Sequence, residues 1–276
     1  MTNVKRYAFL GGSTRSGTTW LQILLGAHPK VATLRESHVF DRYVGEIERR
    51  YLGEESVTSG PDGLKAYIDA DTLDAEVLRP LAHVVLDRIA ATKPKCEVVL
   101  EKTPANLRMA STILRLFPEA HFLVIVRDPR AVCASMLAAA QEDWGSWADR
   151  PIPEIAREWM LNLLRTHHLE TTIGPALRVV RYEDLHADKD AVLAGIHAWL
   201  GITSPRRKSS SASAKQLASR QKSADPASPS FDVRPNFFRK GEIDSWKTSL
   251  EPDAVAEIEF LCRAGMERYG YEPVGT

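Results

Sequence analysis

The residues in this sequence that could do chemistry stand in short polar stretches directly after apolar runs. The longest is "FLGGSTRSGTTWLQILLGAHP", Phe9 to Pro29, where an apolar run meets a Gly/Ser/Thr-rich turn and then an apolar helical pattern. Consecutive backbone N–H groups around Gly12–Thr19, followed by a helix N-terminus, make a concave anion site with a favourable dipole. Arg15 adds a fixed positive charge there, and Thr18 and Thr19 add hydroxyl donors. The plan is that of a phosphate-binding loop, G-x-x-x-x-G-K-[ST], but Thr18 follows Gly17 where the lysine belongs. A P-loop kinase needs that lysine and a magnesium-binding hydroxyl beside it, so the loop by itself leaves open which anion it holds. Further polar residues stand after other apolar runs: Glu101–Thr103, Arg127 and Tyr182.

These positions require elements to hold them. Tyr7–Gly12, Glu97–Leu100, His121–Val126 and Leu177–Arg181 read as buried parallel strands, each rich in branched or aromatic residues and bounded by charge or turn residues. Helical patterns lie between them. "DAEVLRPLAHVVLDRIAA" carries Pro80 as a kink or restart, and "DPRAVCASMLAAA" has Asp128 as N-cap with Pro129 at the first helical position. Alternating strands and helices predict an α/β fold, one domain over residues 1–276, with a mostly parallel central sheet flanked by helices. Ligands of such sheets bind beyond the carboxyl ends of the strands, where the polar residues stand. Arg127 and Ser135 are eight positions apart, one at a strand end and one two turns into the next helix, so both reach a site above that strand. Residues 203–235 are Ser-, Ala-, Lys- and Pro-rich with no apolar period, and read as a flexible surface loop or as a lid that orders on ligand binding.

Composition excludes several classes. Lys+Arg and Asp+Glu balance at 36 each, so no global field favours nucleic acid or an anionic membrane, and any anion site is local. Cys96, Cys133 and Cys262 stand far apart without C-x-x-C, which argues against a disulfide framework or a zinc ribbon. The histidines show no metal-ligand spacing, so no metal is expected. No apolar run approaches the roughly 18 residues that span a bilayer, and the first residues lack a signal-peptide core. The expectation is a soluble, cytoplasmic protein without stable membrane insertion. Its oligomeric state is open, because no heptads or extended apolar face point to an interface.

Three segments, "STRSGTTW", "IVRDPRAVCASM" and "FRKGEIDSWK", resemble the signature segments of sulfotransferases that use 3′-phosphoadenosine-5′-phosphosulfate (PAPS). The resemblance runs from about Tyr7 to Lys247. It implies a P-loop NTPase-like fold and transfer of a sulfuryl group that leaves PAP, with PAPS as co-substrate. By resemblance, Arg15, Ser16, Gly17, Thr18 and Thr19 cradle the 5′-phosphosulfate. Trp20 either stacks on adenine or belongs to the core of the first helix. Arg127 and Ser135 bind the 3′-phosphate together with Arg239, Lys240 and Gly241. Tyr182 lies beside the adenosine or packs on the core. The third segment departs from the family pattern, because Ile243 and Asp244 precede Ser245 where a glycine–aspartate pair is usual.

Members with K-T-H-L-P place a catalytic histidine two residues after the lysine; here that place is Pro104. "EKTP" is instead similar to the Golgi tyrosylprotein and heparan-type members, whose base is a glutamate after the phosphate loop. The matching place is Glu36 in "VATLRESHVF", with His38 as the second candidate. Arg15 and Lys102 would neutralise the leaving phosphate while Glu36 takes the proton from the acceptor. The implied acceptor is a small-molecule, lipid or sugar hydroxyl, with an amine as the secondary choice. Phe40, Tyr43, Trp144 and Trp147 would grip it or belong to the core. A P-loop kinase and a non-catalytic nucleotide-binding domain of the same fold are the alternatives.

Overall fold

In the computed structural model, residues 5–54, 60, 62–204 and 243–275 are described. Five parallel strands form one sheet: β1 (Arg6–Gly12), β2 (Val31–Thr33), β3 (Val98–Lys102), β4 (His121–Val126) and β5 (Leu177–Arg181). They lie in the order β2-β3-β1-β4-β5. The chain leaves β1 toward one edge, returns through β3 and crosses to β4 on the other side. Such a reversal opens a crevice at the carboxyl end of the central strand.

Alternation along the strands explains why these runs are apolar throughout. Phe9, Val99, Phe122, Val124 and Val126 enter one core, whereas Ala8, Leu10, Val98, Leu100, Leu123 and Ile125 enter the other. A sheet buried on both faces leaves no polar side to its inner strands. The smaller core is closed by α1 (Thr18–Gly26), through Leu21, Leu24 and Leu25, and by later helices carrying Leu185, Leu193 and Ile196. The larger is closed by α2 (Gly45–Leu52), α3 (Arg79–Ala91), α4 (Ala110–Leu116), α5 (Pro129–Ala140) and α6 (Ile152–Ile173). The helices α7 (Tyr182–Ala187), α8 (Lys189–Trp199), α9 (Trp246–Ser249) and α10 (Pro252–Tyr269) complete the description. Pro80 lies in the first turn of α3, after the wide-turned segment Leu73–Leu78, so it restarts the helix there. Asp128 caps α5 as expected, accepting from the Arg130 amide at 2.8 Å.

Two differences from the sequence reading have simple causes. Glu101 and Lys102 are the last residues of β3 rather than the first two after it, because the pairings Phe9↔Glu101 and Leu10↔Lys102 continue the ladder. The strand β2 was not anticipated: three residues are too few for a periodic signal, and they order by pairing with Val98–Leu100 of β3. Lys93 supports that edge, donating its ammonium hydrogens to the carbonyls of Gly26 at the end of α1, His28 in the connection and Val31 at the start of β2. Residues 205–235, most of the expected loop or lid, lie outside the described residues. All three cysteines are unbridged and buried, and burial pushes the Cys133 and Cys262 thiols up to about 12. They act as small apolar side chains.

At the far end of the sheet two buried histidines touch, with ring centres 4.7 Å apart. His28 accepts from the Lys30 amide at Nδ1, and its Nε2 lies 3.0 Å from the Thr203 carbonyl. His197 Nδ1 lies 3.2 Å from Ser204 Oγ. Burial, aided by His28, lowers His197 to about 4 from the ordinary 6.5. A base with a depressed folded-state value binds protons more readily in the unfolded chain. Its share of stability is therefore complete above about 6.5 and is lost as pH falls toward 4. Urea unfolding should show this decline, and His197→Phe should remove about 2 kcal/mol of it.

Candidate active site

The loop between β1 and α1 brings both halves of the site together. Its turn is closed by the Ser16 amide donating to the Ser13 carbonyl at 3.0 Å. Gly12 (φ 153°), Arg15 (φ 69°) and Gly17 (φ 100°) all have positive φ. Two of these need glycine for space as well. A Cβ on Gly12 would lie 2.6 Å from the Ile125 carbonyl, and one on Gly17 would lie 2.6 Å from the Tyr182 ring. Gly17 is also the cap position of α1 and has no side chain to offer the first N–H groups of the helix. Those N–H groups remain available to an anion.

One half of the site stands on β4 and α5. Arg127 is buried just past β4, donates from Nη1 to the Arg15 carbonyl at 3.2 Å, and lies 4.2 Å over the Tyr182 ring centre. A surface pair with Asp128 is thereby excluded, because Asp128 binds Arg130 instead. Arg15 Nε donates to Ser135 Oγ at 3.0 Å, and its guanidinium lies 5.9 Å from the Trp144 ring centre. The structure therefore joins Arg15 to Ser135, two residues assigned by resemblance to opposite ends of one ligand. Tyr182 packs against Trp20 at 5.3 Å, and Trp20 is half-buried, so both are at once wall and core. Arg239, Lys240 and Gly241 lie outside the described residues. Trp246, shortly after them, is buried on Ala131 and Ala134 of α5 beneath the Arg130 guanidinium at 4.0 Å. Arg130 in turn pairs with Asp128 and Glu259.

The other half stands on β3 and the segment after β2. The Lys102 side chain is 3% exposed, and its ammonium donates to Thr19 Oγ1 at 3.1 Å and to the Glu36 carboxylate. Glu36 Oε2 also lies 3.3 Å from His38 Nε2. His38 Nδ1 is 3.2 Å from both oxygens of Asp41, and Asp41 is 3.7 Å from Arg108. Burial alone would raise the Glu36 carboxyl, but the His38 and Lys102 contacts outweigh it and hold the group at about 2. The hydrogen bond to Glu36, supported by Asp41, raises His38 against the effect of burial. Glu36 is thus a carboxylate held between the Lys102 ammonium and a histidine whose protonated form it favours. His38 has φ 54°, a left-handed conformation that costs a side-chain-bearing residue of order 1–3 kcal/mol and clusters at functional sites.

Among the aromatic candidates for gripping an acceptor, Phe40 belongs to the core: it is buried edge-on against Phe9. Tyr43 is 57% exposed, and Trp147 is 46% exposed and stacked on Trp144. Asp41 was not among the residues singled out from the sequence, and Glu101, noted only as a polar residue after an apolar run, was given no role; it lies inside β3, where a carboxylate needs a reason.

Comparison with known proteins agrees with this geometry. Residues 8–206 match the sulfotransferase family. A protein-tyrosine sulfotransferase of Drosophila melanogaster is 32% identical over 130 residues, 47% of this chain and 25% of that protein. Protein-tyrosine sulfotransferase 1 of Mus musculus is 31% identical over 131 residues, 47% of this chain and 33% of that protein. The aligned part is thus a quarter to a third of those relatives' length. Among solved structures, the sulfotransferase domain of the Synechococcus PCC 7002 olefin synthase superposes with TM-score 0.64 at 20% identity, covering 97% of this chain and 96% of that one. A mouse sulfotransferase complexed with PAP superposes with TM-score 0.58 at 16% identity, covering 95% and 85%. At these identities the two structures speak for the fold.

The Gly17–Tyr182 contact can be tested directly. Gly17→Ala should lower the unfolding free energy by about 2 kcal/mol. About half of that loss should disappear in a Tyr182→Ala background, which relieves the collision but not the positive φ. Urea titrations of the four proteins in the cycle measure both quantities.

Proposed function

Because the chain belongs to the sulfotransferase family, we propose that it moves the sulfuryl group of PAPS to an acceptor hydroxyl, with Glu36 as general base. The observation that carries this reading is the position of Lys102, whose ammonium touches both the loop hydroxyl of Thr19 and the Glu36 carboxylate. A cation at that junction would face an anion bound on the loop and the base for the attacking oxygen at once.

The residues fit PAPS. The N-terminus of α1, left without a side-chain cap at Gly17, would take an anion, Arg127 and Ser135 would offer phosphate donors, and Trp20 and Tyr182 form an aromatic wall. When bound, PAPS would supply the activated sulfuryl group. Arg15 and Lys102 would then stabilise the charge that develops on the phosphate side. Glu36, ionised across the working pH range, would accept the acceptor proton within hydrogen-bond reach. Its affinity for that proton is low while Lys102 and His38 both hold it. It rises if Lys102 turns toward the co-substrate, because an opposite charge nearby is what depresses a carboxyl. His38, bonded to the same carboxylate, would steady Glu36 rather than act as the base.

The acceptor is read as a hydroxyl of a small molecule, lipid or sugar. The names of the aligned relatives add a tyrosine side chain to the panel worth testing. A kinase reading has no support from the loop, where Thr18 replaces the lysine.

Heating the protein with 3′,5′-adenosine bisphosphate and no magnesium should raise its Tm by several degrees, since a ligand of the native state adds to apparent stability. A shift with magnesium-ATP alone would overturn the proposal. Incubation with PAPS and tyrosine peptides, sugars and alcohols should add one sulfuryl mass to a member of the panel. Glu36→Gln should lower that turnover by about 10²–10⁴-fold while keeping the bisphosphate shift. Unchanged turnover would remove Glu36 as base.

A further inference from the structure

We propose that Glu101 is the positioning residue that fixes the Glu36–His38 segment on the end of β3, a role that rests on Glu36 serving as base. Glu101 pairs in register with Phe9 and precedes Lys102, so the two charged side chains leave the strand on opposite faces. It is 1% exposed, and among the described residues no lysine, arginine or histidine forms an ion pair with it. A buried carboxylate without a cation is costly unless hydrogen bonds satisfy it.

Four donors do so. Oε1 accepts from Ser37 Oγ at 2.8 Å, the Ser37 amide at 3.3 Å and Thr103 Oγ1 at 2.8 Å, and Oε2 accepts from Asn106 Nδ2 at 2.6 Å. The bonds continue outward on both sides. Asn106 Nδ2 also reaches the Leu10 carbonyl of β1 at 3.4 Å. Ser37 Oγ accepts from the Val39 amide at 3.1 Å, and Thr103 Oγ1 accepts from the His38 amide at 3.3 Å. Glu101 therefore ties the central strand to three successive backbone positions, Ser37, His38 and Val39. Glu36 and His38 flank Ser37, and His38 holds its left-handed φ of 54° inside this set of bonds. A strained residue persists where its surroundings over-determine it. The carboxylate itself is what the place requires: an amide would turn its NH₂ toward donors on one side or the other.

Glu101→Gln is the test, with Ser37→Ala as the milder variant should the first not fold. Hydrogen exchange at the Ser37 and His38 amides should accelerate at least tenfold in the variants. Exchange in β1 and the Tm shift with 3′,5′-adenosine bisphosphate should stay as in the wild type. PAP release from PAPS with a tyrosine peptide should lose at least tenfold in kcat, with KM for PAPS changed less than twofold. Wild-type exchange and kcat in both variants would overturn the proposal. So would a loss of bisphosphate binding that matches the loss of kcat, because that marks general damage. Glu36→Gln run in parallel separates the two readings. If it alone retains full turnover, the base assignment fails, and the exchange result by itself decides whether Glu101 holds the segment. The exchange result also decides alone if the wild-type protein does not turn over the peptide.

Discussion

A single buried ammonium organises this site. Lys102 ends a strand that is buried on both faces, and a cation there is expensive unless it is paired and hydrogen-bonded. Its partners come from different parts of the chain: Thr19 from the first turn of α1, Glu36 from the segment after β2. Meeting the needs of that one charge brings the β1–α1 loop and the candidate base to the same point. The sheet supplies the position, since β3 pairs directly with β1 and sets Lys102 opposite Leu10, two residues before the loop begins.

The loop then transmits order to the other side. Arg127 bonds the carbonyl of Arg15, and Arg15 bonds Ser135, so β4 and α5 are fastened to the same turn that Lys102 reaches through Thr19. Strain accompanies this. The non-glycine residues with positive φ, among those described, are Arg15 and His38, one on each side of the site. Neither conformation is what the residue would choose locally, and each is held by contacts to neighbouring elements.

Much of this was legible in the sequence, for identifiable reasons. Three of the strands, β1, β3 and β4, announced themselves because burial on both faces demands near-unbroken apolar runs, whereas β5, read as buried, is an edge strand with Arg178 exposed. The loop announced itself because glycine at positions 12 and 17 has no substitute when a carbonyl or an aromatic ring stands where the Cβ would be. Arg127 and Ser135 were linked by helical geometry once Asp128 and Pro129 marked the start of α5. What stayed hidden depended on partners distant in sequence. The strand β2 exists because β3 is there to pair with it. Phe40 lies near the base in sequence, yet it packs on Phe9 in the core. The bond between Arg15 and Ser135 joins two motifs whose spacing says nothing about their contact. Glu101 was read as one of the polar residues after an apolar run, and its purpose is legible only with Ser37, Thr103 and Asn106 around it.

The strand order carries a consequence of its own. Because β1 has β3 on one side and β4 on the other, Arg127 and Ser135 stand on one flank and Lys102, Glu36 and His38 on the other, with the β1–α1 loop between them. Such a layout is modular. Under the proposed function, the β3 side could be rebuilt around a new acceptor while the β4 side kept to a single donor. Diversification in a fold of this kind is therefore expected to be lopsided, rapid on the flank that meets the acceptor and slow on the other.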